Sequence, residues 1–260
     1  MADPWLPGVL GIGGRALDGT PALFHYRRAP DGAAGTKWAI FFEGGGACAT
    51  NAECWDRSTG RLGSSAHPQN TGATRKLSDD GLFGEDPLAN PGFWDAHKVF
   101  VPYLSGDIHL GTRTDPYTFP DDPDWGTLPG QDAAAQPEFY FSGHLNFVHI
   151  IDQLTTNTTF TANGGGIGQA TDVLLTGCSA GGYGARGNAD WLHDTLPATT
   201  NFRAAPAAGL VTGSQTFANF EAGVPGGYPL PLPASKFAKV WLLTQSLYAR
   251  ERLCNSVSLR

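Results

Sequence analysis

The stretch Thr171-Asp172-Val173-Leu174-Leu175-Thr176-Gly177-Cys178-Ser179-Ala180-Gly181-Gly182 decides the fold. Its first half is a short apolar run of the kind that forms a buried strand. Its second half, Gly177-Cys178-Ser179-Ala180-Gly181, matches G-x-S-x-G, and a helix-compatible segment continues through Leu192. Strand, glycine-flanked serine and helix in that order describe a tight, strained turn that lifts a serine hydroxyl clear of the sheet. The N-terminus of the following helix favours developing negative charge beside it. The plain alternative is a glycine-rich turn whose Ser179 merely caps the helix.

Working outward, Lys37 to Phe42, Lys98 to Tyr103 and Lys239 to Thr244 are further buried-strand candidates, and Ala22 to Arg27 is a short alternating stretch. His144 to Leu154 carries Leu145, Val148, Ile151 and Leu154 as the apolar stripe of an amphipathic helix. Apolar strands alternating with helices predict an α/β layered fold with a mostly parallel sheet. No internal repeat or linker divides the 260 residues, so one domain is expected. Residues 1–15 read as an irregular lead-in, 47–92 as a long decorated loop region and 254–260 as a tail.

Composition excludes several classes. Seventeen Lys and Arg against 24 Asp and Glu leave a net charge of −7, which works against sequence-independent nucleic-acid binding. No apolar run is long enough to span a bilayer. With 41% hydrophobic residues the chain has the material for a core. The acidic residues Asp115, Asp121, Asp122 and Asp124 lack the ordered ligand spacing of a calcium loop and read as a solvated loop. No metal and no cofactor is expected. Met1 to Leu10 lacks a basic leader and is broken by Pro4, Pro7 and Gly8, so it makes a poor signal peptide.

A second glycine-rich element, Glu43-Gly44-Gly45-Gly46-Ala47-Cys48, follows the strand ending at Phe42. Residues without side chains let backbone N–H groups approach a substrate carbonyl closely. Gly45 and Gly46, joined by the N–H of Ala180 after the candidate nucleophile, are the expected oxyanion donors. A flexible three-glycine turn is the alternative, and a phosphate loop is excluded because no Lys-Ser or Lys-Thr follows the glycines. Cys48 and Cys54 enclose five residues. Disulfide, free thiols and metal binding all remain open on spacing alone, although zinc would want a second pair.

These motifs resemble those of the pectinacetylesterase/Notum family of α/β-hydrolase-fold carboxylesterases. The resemblance runs from Leu17-Asp18-Gly19-Thr20-Pro21 through Phe42-Glu43-Gly44-Gly45-Gly46, Cys48 and Cys54. It continues through Arg61-Leu62-Gly63-Ser64-Ser65, Asn90-Pro91, Val99-Phe100-Val101-Pro102-Tyr103 and Ser105-Gly106-Asp107 to Gly177-Cys178-Ser179-Ala180-Gly181-Gly182. It implies a three-layer α/β-hydrolase-like fold lacking its C-terminal part, with Ser179 as nucleophile and a Cys48–Cys54 disulfide. It also implies a secreted esterase acting on an acylated polysaccharide or a lipidated protein. Ala47 stands where the family usually has Trp.

The same resemblance exposes a gap. The family's acid falls in a Leu-Tyr-Asp stretch, and here Ser246-Leu247-Tyr248-Ala249-Arg250-Glu251 places Ala249 at the acid position, with Glu251 as a possible substitute. No histidine follows Tyr248, as expected of a C-terminally truncated member. His193, fourteen residues into the outgoing helix, would lie roughly 21 Å from Ser179. His144 and His149 suit packing or surface roles. His109, after Ser105-Gly106-Asp107, is the remaining substitute base. A serine without its base loses on the order of 10⁶ in turnover. The competing expectation is therefore a catalytically inactive esterase-like protein that binds a glycan or acyl chain.

Overall fold

The computed structural model describes residues 5–10, 14–71, 77, 81–119, 125–126, 136–162 and 166–208. The strands are β1 (Leu6–Val9), β2 (Leu23–Arg27), β3 (Lys37–Phe42), β4 (His97–Val101), β5 (Asp172–Cys178) and β6 (Asn201–Ala207). The helices are α1 (Asn51–Ser58), α2 (Gly143–Thr156), the single turn α3 (Thr158–Thr161) and α4 (Ala180–Thr195). The sheet order is β1-β2-β4-β3-β5-β6. From β4 through β3 and β5 to β6 every pairing is parallel, while β1 and β2 run antiparallel at one edge. The expected mostly parallel α/β sheet is what the chain forms.

The central strand explains its own sequence. Trp38, Ile40 and Phe42 of β3 enter a core with Phe147, Ile150, Ile151 and Leu154 of α2 and with Ala185 and Leu192 of α4. Ala39 and Phe41 face the other way, onto Leu82, Phe83 and Phe100. A strand buried on both faces cannot alternate polar and apolar residues, hence the continuous run.

Three expectations need correction, and one strand was not expected at all. The lead-in is not irregular throughout, because Leu6–Val9 forms β1, paired with β2 from Leu6 opposite Tyr26 to Val9 opposite Leu23. Pro7 is tolerated there because an edge strand leaves some N–H groups unpaired. The loop region 47–92 contains α1, whose Thr50 and Glu53 form a capping box. The α2 stripe is rotated: Phe147, Ile150, Ile151 and Leu154 are buried, whereas Leu145 and Val148 lie half-buried at its margin. β6 had no apolar signature, and Ala204, Pro206 and Ala207 supply its small inward residues. Lys239 to Thr244 and the tail 254–260 lie outside the described residues.

The parallel arrangement gathers the segments after β3, β4 and β5 at one end of the sheet, where open α/β sheets carry their ligands. The glycine loop, the 102–109 turn and the Ser179 turn all lie there.

Candidate active site

Ser179 joins β5 directly to α4 with φ 56° and ψ −121°, a backbone conformation rarely held by a residue with a side chain. The conformation is fixed from both sides. The Ser179 N–H donates to the Ala207 carbonyl at 3.0 Å, extending the β5–β6 ladder, and the Ser179 carbonyl accepts from Tyr183 N–H at 3.1 Å. The residue is exposed, and its hydroxyl makes no helix-capping hydrogen bond. The capping alternative is thereby removed. Ala180, the first residue of α4, has no intrahelical acceptor for its N–H.

The glycine loop packs against this turn. A methyl group at Gly44 would sit 2.3 Å from the Cys178 carbonyl oxygen and 3.1 Å from Ser179 Cβ. Gly45 and Gly46 hold φ of 149° and 73°, conformations that side chains disfavour. The loop is anchored at its ends, with Glu43 N–H donating to Val101 and Cys48 N–H to Gly106. Between those anchors the N–H groups of Gly44, Gly45, Gly46 and Ala47 donate to nothing among the described residues. A set of unengaged donors on one side and Ala180 N–H on the other is an arrangement able to receive an anionic oxygen.

The loop's surroundings are charged and rigid. Cys48 and Cys54 form a disulfide with a Cα–Cα distance of 5.1 Å, which resolves the question that spacing left open. The Arg57 guanidinium, one turn after Cys54, donates from Nη2 to the Gly45 carbonyl at 2.6 Å and lies over the Tyr103 ring. The Glu43 carboxylate accepts from Tyr103 N–H at 3.0 Å and pairs with Arg61 at 2.6 Å. Asp107 is buried and accepts from Ser105 Oγ, His109 N–H and Gly143 N–H. Burial raises its pKa to about 6, against the pull of those hydrogen bonds. Arg57, Arg61 and Glu43 were not among the residues expected to shape the site. Their signal lay in a basic residue one turn past the second cysteine and in a lone acid closing an apolar strand.

His109 makes no hydrogen bond to Ser179. Its Nε2 bonds the Glu43 carbonyl at 2.8 Å, and its ring stacks on Phe42 and lies against Tyr103. Its Cβ abuts α4 at Gly184, five residues beyond the serine. Burial pushes its pKa down to about 4, so it is neutral near pH 7. His144 bonds Asn188 at 2.6 Å beneath Trp191, and His193 is an exposed helix-end residue beside Asp194. Among the described residues, no histidine shares a hydrogen bond with the Ser179 hydroxyl. Glu251 lies outside the described residues.

The family model for pectinacetylesterases matches residues 11–221 of this chain. The chain belongs to the pectinacetylesterase family. It is 29% identical over 185 residues to pectin acetylesterase 5 of Arabidopsis thaliana, covering 71% of this chain and 36% of that protein. It is 30% identical over 184 residues to palmitoleoyl-protein carboxylesterase notum1a of Danio rerio, covering 69% and 29% respectively. The chain thus spans about a third of the length of these curated relatives. In fold it is similar to the Wnt deacylase Notum from Drosophila, with a TM-score of 0.63 at 23% identity over 86% of this chain and 59% of that one.

Proposed function

We propose that the chain carries the nucleophile and oxyanion hole of a carboxylic ester hydrolase, with Ser179 as the attacking group. The strained, exposed Ser179 turn, with N–H groups on both sides that are unengaged among the described residues, is the observation that carries this reading. The Ser179 oxygen adds to the ester carbonyl carbon, and the carbonyl electron pair moves onto oxygen. That oxyanion is received by the N–H groups of Gly45, Gly46 and Ala180. Collapse expels the alcohol, which takes up the serine proton, and leaves an acyl-serine; water then repeats the sequence. Two relatives are named as esterases of acetyl and palmitoleoyl groups, which brackets the acyl chain.

The loop's flank favours a polar substrate. A cavity of about 360 Å³ beside it is lined by Ala47 and Leu62 together with Glu53, Asp56, Arg57 and Arg61. Alternating cations and carboxylates match the hydroxyls of a sugar better than a long hydrocarbon, so an acetylated polysaccharide fits better than a fatty-acylated protein. A substrate of that kind implies an extracellular setting.

The engagement of His109 with Glu43 supports a second reading, in which the same site binds an acylated glycan without turning it over. Hydrolysis of p-nitrophenyl acetate and p-nitrophenyl octanoate by wild type and Ser179→Ala separates the two. The proposal expects a saturable rate that is faster with acetate and vanishes in the variant. Equal rates in two folded proteins overturn it in favour of binding alone.

A further inference from the structure

We infer that Arg57 is a positioning residue for the oxyanion hole, setting the direction of the Gly46 N–H. The inference rests on the reading of Ser179 as nucleophile and of Gly46 as a donor.

A trans peptide points its C=O and its N–H in opposite directions. The structure contains no cis peptide among its described residues. Whatever holds the Gly45 carbonyl therefore also orients the N–H of Gly46, and Arg57 Nη2 holds that carbonyl at 2.6 Å. Gly45 and Gly46 hold positive φ and have no side chain to fix them there, so an external clamp on their shared peptide sets its direction. A charged donor on the carbonyl also polarises the peptide and strengthens its N–H as a donor.

The placement of Arg57 is costly unless it serves this end. Its Nη1 is buried without a partner, and the guanidinium pairs with no carboxylate among the described residues. Its charge is instead directed at a peptide oxygen and the Tyr103 ring. Clamp and loop are also one covalent unit. The Cys48–Cys54 disulfide ties the residue two beyond Gly46 to the helix turn before Arg57, and the capping box fixes the start of that helix. Tyr103, under the guanidinium, accepts from Ile108 N–H through its hydroxyl at 2.7 Å, which anchors the stacking surface.

The test uses the full chain as wild type, Arg57→Lys and Arg57→Ala, with acetate as an oxyanion probe followed at the Gly46 and Ala180 amides by ¹H–¹⁵N NMR. Arg57→Lys keeps the charge over Tyr103 and guards against a variant that fails to fold. Wild type is expected to show acetate-dependent shifts at both amides. Arg57→Ala is expected to lose the Gly46 response and bind acetate at least tenfold more weakly, while the remainder of its spectrum is preserved. Arg57→Lys should fall between them, and about 20 mM guanidinium should restore part of the Gly46 response to Arg57→Ala. With p-nitrophenyl acetate the same order should appear in kcat, with KM unchanged within twofold. An unchanged Gly46 response in Arg57→Ala overturns the role of Arg57 and leaves the oxyanion hole standing. No acetate response at either amide of wild type overturns the hole itself, and Arg57's part with it. Loss of hydrolysis in Ser179→Ala with normal acetate binding keeps failure of the nucleophile separate from failure of the clamp.

Discussion

Gly181→Ala is a substitution on which two physical rules give opposite signs. Gly181 is the second residue of α4, and alanine in a helix is worth as much as about 1 kcal/mol over glycine. Its φ is not in the left-handed region, so helix propensity alone predicts a more stable protein. The packing says otherwise. A Cβ at position 181 would lie 2.0 Å from the Phe42 carbonyl oxygen, 2.6 Å from its carbon and 2.9 Å from the Glu43 oxygen. All three are backbone atoms at the end of the central strand, so none can rotate away. Overpacking of this kind costs about 3 kcal/mol at the upper end of its range, leaving a net loss of about 2 kcal/mol. For a domain of this size that is a fall of roughly 4–8 °C in Tm. Gly187→Ala, six residues on in the same helix, is the internal control. Its Cβ would meet the Leu110 Cδ atoms at 2.3 and 3.0 Å, the movable end of a half-buried side chain. There the helix gain and a rotamer change nearly cancel, and Tm should stay within roughly 3 °C. Thermal unfolding of both variants beside wild type decides the matter. A Tm for Gly181→Ala at or above wild type, or an equal fall in both variants, would refute the argument that the turn is wedged against the end of β3.

Breaking the disulfide by Cys48→Ser with Cys54→Ser opens a loop of sequence separation 6 and should cost about 2 kcal/mol, read as a lowered urea midpoint. Because that bond ties Arg57's helix to the glycine loop, the Gly46 amide resonance should broaden or move more than that of Ala180. Two buried groups should reveal opposing pH dependences. Burial raises Asp107 to about 6, so the fold binds that proton more readily than the unfolded chain, and this contribution to stability falls as pH rises from about 4 to 6. Burial lowers His109 to about 4, so its contribution is lost as pH falls from about 6.5 to 4. Each spans about 3 kcal/mol, and in wild type they offset each other. Relative to wild type, Asp107→Asn should therefore gain stability as pH rises through that window, whereas His109→Gln should lose it. Urea unfolding from pH 4 to 7 reads both slopes, and parallel profiles for the two variants would contradict the assignment.

The buried strands and the serine turn were legible because their physics is local. A strand covered on both faces must be apolar throughout, as Lys37–Phe42 is, and a strained turn must be flanked by glycine, as Ser179 is. β6 escaped because its burial depends on small residues beside β5 rather than on bulk. α1 escaped because its signal is a four-residue capping box in glycine-rich surroundings, easily taken for another turn. The Arg57 contact was illegible for a different reason. It joins a side chain to a peptide oxygen twelve positions away, and no periodicity or composition marks such a pairing. His109 shows the converse: its position after Ser105-Gly106-Asp107 put it near the right strand end, but left-handed backbone at Ile108 and His109 turns it under the loop instead.

The conformations of Ser179 and of the glycine loop support each other. Ser179 holds a backbone state that costs on the order of 1–3 kcal/mol, and it needs neighbours that over-determine it. Ala207 holds its N–H, Tyr183 its carbonyl, the end of β5 closes in on Gly44, and the end of β3 with Glu43 closes in on Gly181, with no room for a methyl group at either glycine. The glycine loop meanwhile is pinned by Val101 before it, Gly106 after it and Arg57 at its middle. A turn meant only to begin a helix would not need a left-handed serine, four N–H groups unengaged among the described residues and a guanidinium on a peptide oxygen at one strand end. Those features cost stability individually, and a single oxyanion forming above Ser179 would draw on all of them at once.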